Sequence, residues 1–447
     1  MQGSFPSRSF PAEEKPHNCC ECSSCTAIVR FRRCGKISAA AEGNEWIGMA
    51  GAAMGAAGTE TADRTAGLGF SVADLPPAQR YLVAALSARF GGRAHPLPAD
   101  PDWREVGCLA RYHRLAPLMD RAFLPGAPDA WLTEIAEWRR AEIRRSLLLT
   151  ARMLEVARCF RQAGVDLLVL KGPAQAVRLF GDAHARSCRD IDLLVRPAQA
   201  DEALRLLRGL GYGTRPDLLS RHVNAIFAAH EDGGPPVELH TQLSEGNVVF
   251  SSRALDPFRE SAELDIGGRT VRSLSPGATI AYAAYHGARH HWSLLYWFAD
   301  LVAATRRPAA DWEDAAAVAA RCGTGRHLAM AVRLVRGLTG LSPPVPPPCP
   351  SGDLPVLRRA EAVVGAIWAL PPMEENEALR RLGTIAVLRS DLSLYRGRMA
   401  AARYLLALLR PTDSDNPGLP LSSGMRFLLL PLRIIRVLAM ELSRGRP

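Results

Sequence analysis

Lysine is nearly missing from this chain: only Lys15, Lys36 and Lys171 occur among 447 residues, against 52 arginines. Arginine is a planar fork and lysine a compact point charge, so the two are not interchangeable at a tight anion site. From residue 37 onward Lys171 is the sole lysine, which singles it out. Long apolar runs are missing too. The best candidate, 425–442, is broken by Arg426, Arg433 and Arg436, so no transmembrane helix is expected. No internal repeat is present, and no apolar h-region precedes a cleavage site, so no signal peptide is expected. With 48% hydrophobic and 22% charged residues, the composition excludes collagen-like, coiled-coil and wholly disordered chains.

The ten cysteines form no disulfide framework. Cys108, Cys159, Cys188, Cys322 and Cys349 are scattered singly, as thiols of a cytoplasmic protein would be. Cys19, Cys20, Cys22, Cys25 and Cys34 crowd the start, where C-x-x-C pairs follow His17. The second half of a zinc finger is lacking, so residues 1–72 read as a disordered leader or an over-called start, with Met49 or Met54 the true beginning. The net charge of +10 suits a polyanionic partner: nucleotide, nucleic acid or an acidic membrane surface.

Apolar spacing predicts an N-terminal helical region over 76–163, with helices in 81–90, 102–123 and 130–163 and Asp102 as an N-cap. The period then switches. Residues 165–170, 190–195 and 237–243 read as strands, separated by helices through Phe180 and over 197–210. This is an α+β pattern: a small mixed-sheet unit, strand-helix-strand-helix-strand, over 164–275, set between helical regions. A helical region follows over 276–341, including one helix over 286–306. The prolines of 342–350 mark a linker, and 351–447 reads as a C-terminal helical region. Its last helix, 423–444, carries Arg433, Arg436 and Arg444 and reads as a packed element with a solvated basic face.

Asp190 and Asp192 stand two apart on a strand, so both carboxylates share one face while Ile191 points into the core. Like charges held that close call for a cation, and hard divalent ions take oxygen ligands. Glu238 begins the next apolar strand. If those strands are neighbours, three carboxylates converge, the arrangement used in two-metal phosphoryl transfer. Lys171 and Gly172 lie in the turn before a helix, where backbone N–H groups and a lysine can hold phosphate. Arg186 and Arg189 flank the acidic pair and either contact a triphosphate or pair with Asp190 or Asp182. His240 shares the face of Glu238 and either orients it, acts as an acid/base, or is simply packed.

Lys171-Gly172, Arg186-x-x-x-Asp190-Ile-Asp192-Leu-Leu-Val, Gly211-Tyr212 and Val237-Glu238-Leu-His240 together resemble the bacterial uncharacterised nucleotidyltransferase family. That family belongs to the polymerase-β-like nucleotidyltransferase superfamily. The resemblance extends to Tyr112-His113-Arg114, His286-Gly-Ala-Arg-His290-His291-Trp292 and Trp297-Phe-Ala-Asp300, and covers about residues 76–440. It implies a nucleotidyltransferase palm and transfer of a nucleoside monophosphate from an NTP, with Mg²⁺ or Mn²⁺. Asp190, Asp192 and Glu238 would hold the metals, with Glu238 also the base. Where the wider superfamily has Gly-Ser or Gly-Gly, this chain has Lys171-Gly172-Pro173. The acceptor hydroxyl is left open among small molecule, peptide and RNA. Two alternatives stand beside this one: a catalytically silent nucleotide- or partner-binding protein of the same fold, and a toxin-like enzyme that modifies transfer RNA.

His286 and His290 lie one helical turn apart, with His291 beside them. They lack the H-E-x-x-H pattern and a third ligand, so zinc gives way to a wall on the acceptor or base side of the cleft, with Asp300 holding a histidine. Trp292, Tyr296 and Trp297 read as core.

Overall fold

The computed structural model describes residues 68–98, 100–214, 225–244 and 247–409. The N-terminal cysteine cluster and the basic helix expected over 423–444 lie outside the described residues. Among the described residues three α-helices come first: α1 (Pro77–Arg89), α2 (Trp103–Tyr112) and the 34-residue α3 (Asp129–Gln162). Asp102 caps α2 by accepting from the N–H groups of Arg104 (2.9 Å) and Glu105 (3.2 Å). Residues 113–123, expected to continue that helix, instead hold two short 3₁₀ turns, Ala116–Leu118 and Arg121–Phe123. Leu68 and Phe70, left to the leader by the sequence, pack against Gly337 and Gly365 of the later helices.

Strands and helices then alternate: β1 (Leu167–Val169), α4 (Gly172–Phe180), β2 (Ile191–Val195), α5 (Ala200–Gly209), β3 (Tyr212–Thr214), β4 (Ala225–His230), β5 (Val237–His240), β6 (Ser261–Asp265) and β7 (Thr270–Leu274). They form one mixed seven-stranded sheet in the order β3-β4-β5-β2-β1-β7-β6. β2 runs parallel to β5 and antiparallel to β1. Only three of these strands could be read from the sequence. β4 is Ala-Ile-Phe-Ala-Ala-His, whose alanines carry no strand signal, and β6 is an edge strand of Ser, Ala, Glu, Leu and Asp.

Helices return after the sheet: α6 (Pro276–Arg289), α7 (Leu295–Ala304), α8 (Ala309–Arg321), α9 (Gly325–Thr339), α10 (Leu354–Trp368), α11 (Glu375–Leu382), α12 (Thr384–Leu394) and α13 (Arg398–Leu409). The single helix expected over 286–306 is broken. Trp292 N–H returns to Gly287 O (2.8 Å) and His291 N–H to Ala288 O (2.9 Å), the double-bonded helix end that reverses the chain. His291 and Trp292 both take positive φ there.

Two apolar cores flank the sheet. Ile191, Leu193 and Val195 of β2 pack with Leu149, Met153 and Phe160 of α3. Leu194 points the other way, into the larger core built by α1, α6, α7 and α9. Asp192, in phase with Leu194, therefore faces the helical layer. In that layer the Trp292 ring is fully buried and lies on Gly287, where an added Cβ would meet its Nε1 at 2.3 Å. Gly287→Ala is expected to cost about 1–3 kcal/mol by overpacking. Gly209→Ala is the control: an added Cβ there meets nothing within 4 Å. It is expected to stabilise by up to about 1 kcal/mol through helix propensity. Thermal unfolding of both variants checks the pair, and equal shifts would contradict it.

Candidate active site

The parallel register of β2 and β5 sets Asp192 directly beside Glu238, and Leu194 beside His240. The two acidic residues thus meet on the face that looks toward the helices. Asp190 lies just before β2, two residues from Asp192. From the other side comes Lys171, at the N-cap of α4, where Gly172 takes a φ of +61° that an L side chain rarely adopts.

Asp192 Oδ1 is the hub. It accepts from Lys171 Nζ at 2.7 Å and from His240 Nε2 at 3.2 Å, and the same His240 nitrogen lies 3.6 Å from Glu238 Oε2. Burial opposes the charge on Lys171, but Asp192, with Tyr282 and Glu238, outweighs it and raises its pKa. Burial likewise works against the Asp192 carboxylate, yet Lys171 and His240 hold its pKa below the ordinary value. Glu238 is lowered against its burial chiefly by His240, and His240 is raised against its own burial by Asp192 and Glu238. Asp190 differs. Burial and then the neighbouring Asp192 push it up to about 6, against the pull of Lys171.

These groups line one cavity of about 390 Å³. Its far wall is aromatic: Tyr282 and His286 lie one turn apart on α6, and their rings stack at 6.1 Å between centroids. Burial, then Lys171, pushes the His286 pKa well below its usual value, so this ring is neutral. His290 stacks on Trp297 at 4.9 Å and bonds Glu375 of α11 through Nδ1 at 3.0 Å. His291 bonds Asp391 of α12 at 2.9 Å. His290 and His291 are thus matched to carboxylates from the C-terminal helices. Trp292, Tyr296 and Trp297 are all buried, and the last two also line the cavity.

Among the described residues, one group of three metal-ligating side chains brings its atoms within 4.8 Å of one another: Asp192, Glu238 and His240. The sequence expected Asp190 in that group; its carboxyl lines the same cavity but falls outside the close three. Two ionised carboxylates in register, with a third beside them, fit a hard divalent cation.

Both arginines near the acidic pair have protein partners. Arg186 Nε lies 3.0 Å from both oxygens of Asp300, with the two side chains 5% and 2% exposed. Gln175 Nε2 donates to the same carboxylate at 2.8 Å. Asp300, expected to hold a histidine, instead holds Arg186. Arg189 pairs with Glu142 of α3 at 3.2 Å. Among the cavity residues to which the sequence assigned no role are Arg114, Tyr282 and Glu375. Tyr282 carried a readable signal, four residues before His286. Glu375 carried none, since it arrives from a helix some ninety residues downstream.

Residues 99–340 match the family described as Uncharacterised nucleotidyltransferase. No curated protein matches the chain in sequence. Among solved structures the chain is similar to the antibiotic-resistance factor ANT(2'')-Ia, known from a solution structure. The two are 19% identical, the match covers 38% of this chain and 91% of that one, and the TM-score is 0.30.

Proposed function

We propose, from the premise that this chain belongs to the uncharacterised nucleotidyltransferase family, that it transfers a nucleoside monophosphate from an NTP to a hydroxyl acceptor. The observation that carries the reading is Asp192 in register with Glu238, with Asp190 and Lys171 on the same cavity. Divalent ions held by Asp190, Asp192 and Glu238, a pair of Mg²⁺ or Mn²⁺ by family analogy, would supply charge to offset the triphosphate and the attacking oxygen.

The chain's own residues do the rest. Lys171 and the backbone N–H groups at the start of α4 receive phosphate oxygens. Glu238 Oε2 takes the proton of the acceptor hydroxyl. The acceptor oxygen bonds the α-phosphorus, the bond from that phosphorus to the bridging oxygen breaks, and pyrophosphate leaves. His240 Nε2, bonded to Asp192 and close to Glu238, fixes the spacing of the two carboxylates. The wall of Tyr282, His286 and Trp297 restricts water, which would otherwise compete with the acceptor. We place the reaction in the cytoplasm, where NTPs are plentiful. Among the described residues no helix is long and apolar enough to cross a membrane.

One observation favours a second reading, a catalytically silent nucleotide-binding protein: Asp192 Oδ1, which a metal needs, is already bonded to Lys171. Pyrophosphate release separates the two. Each NTP is supplied with Mg²⁺ and, in turn, pools of RNA including transfer RNA, peptides and small hydroxyl compounds. Transfer predicts release with at least one pool, abolished by chelation and restored by Mn²⁺. Mg²⁺-dependent NTP binding without release in any pool would support the silent protein.

A further inference from the structure

α2 ends in a double-bonded turn: Arg114 N–H donates to Arg111 O (3.0 Å) and Leu115 N–H to Ala110 O (2.9 Å). The pivot of such a turn must take positive φ and is usually glycine, which has no Cβ to strain. Here the pivot is Arg114, at φ 58°. A local rule is broken at a position whose side chain lines the cavity, and strained backbone of this kind gathers at functional sites.

The surroundings hold the pivot firmly. Leu115 is fully buried behind it. His113, kept neutral by burial, accepts the N–H of Leu295 on Nδ1 (3.3 Å) and bonds Gln79 Oε1 through Nε2 (3.1 Å). This ties the turn to the start of α7. The next residue, Tyr296, supports the Arg114 guanidinium with its ring, 5.3 Å from centroid to Cζ.

The cavity's other cations each have a partner within the protein. Lys171 is bonded to Asp192, Arg186 to Asp300, Arg189 to Glu142, and Arg289 lies over the Tyr404 ring. Among the described residues the Arg114 guanidinium has an aromatic partner and no ion pair. A planar fork without a paired carboxylate, in the same cavity as the three acids and within electrostatic reach of Asp190, suits a phosphate group of a polyanion that a cation holds at those acids.

We propose that Arg114 binds the terminal phosphates of the NTP and the pyrophosphate they become. This rests on the nucleotidyl-transfer reading and gives a phosphate contact to a residue outside the acidic motif.

Calorimetry on the full chain with Mg²⁺ tests it, using each NTP, the matching NMP and inorganic tripolyphosphate. Arg114→Gly is the useful variant, because glycine suits the pivot and preserves the fold. It is expected to melt no lower than the parent and to bind tripolyphosphate and the preferred NTP at least tenfold more weakly, with NMP binding within twofold. Arg114→Lys is expected to fall between, retaining charge without the fork. Unchanged tripolyphosphate affinity in Arg114→Gly, or an equal loss for NMP and NTP, would overturn the assignment and leave the transferase reading intact. A parent protein that binds neither NTP nor tripolyphosphate would overturn both.

Discussion

Asp190→Asn is expected to lower nucleotidyl transfer by roughly a thousandfold or more in a protein that melts higher than its parent at neutral pH. The two effects share a cause. Burial and Asp192 push the Asp190 carboxyl up to about 6 from an ordinary value of 3.8. Its native pKa exceeds its unfolded one, so the folded form holds the proton more tightly. The stability this confers is fully present below pH 3.8 and is lost as pH rises through 6. At pH 7 the protein therefore carries a charge that it would fold better without, and asparagine removes it. Urea unfolding should show the variant ahead at pH 7. Its lead should narrow by about 1 kcal/mol by pH 5, as the parent takes up its proton. A variant less stable than the parent at pH 7, or a lead independent of pH, would contradict this.

Asp300→Ala is expected to be the most destabilising single substitution at the site, at about 3–5 kcal/mol. It strands the Arg186 guanidinium at 5% exposure and removes the acceptor of Gln175. A loss of that size is a large share of the 5–15 kcal/mol typical of a folded domain, so the folded fraction should drop measurably. The partner substitution supplies the control. Arg186→Met with Asp300→Leu exchanges the buried pair for apolar side chains and should recover most of the loss, because neither charge is left alone. Urea unfolding gives both values. A loss below about 1 kcal/mol for Asp300→Ala, or no recovery in the double variant, would mean that the pair does not brace the site.

What could be read from the chain was whatever depends on spacing along one element. Alternation put Asp190 and Asp192 on one face, and the next apolar strand offered Glu238. The near-absence of lysine drew attention to Lys171. What could not be read depends on distant elements meeting. Asp300 reaches Arg186 across 114 positions, and Glu375 reaches His290 across 85. β4 is alanine-rich and β6 polar, so neither was legible as a strand. Arg114, quoted in the resemblance, gained no role for another reason: at a helix end whose geometry calls for glycine, its sequence neighbourhood looks like ordinary helix.

Transfer of a nucleoside monophosphate breaks the bond from the α-phosphorus of the NTP to the oxygen that bridges it to the β-phosphorus. The direct test supplies the full-length protein with Mg²⁺, an acceptor pool, and NTP labelled at either the α- or the γ-phosphorus. Transfer of a nucleoside monophosphate predicts label on the acceptor from the α-position, none from the γ-position, and pyrophosphate in solution. Label carried from the γ-position, with nucleoside diphosphate as the product, would contradict it.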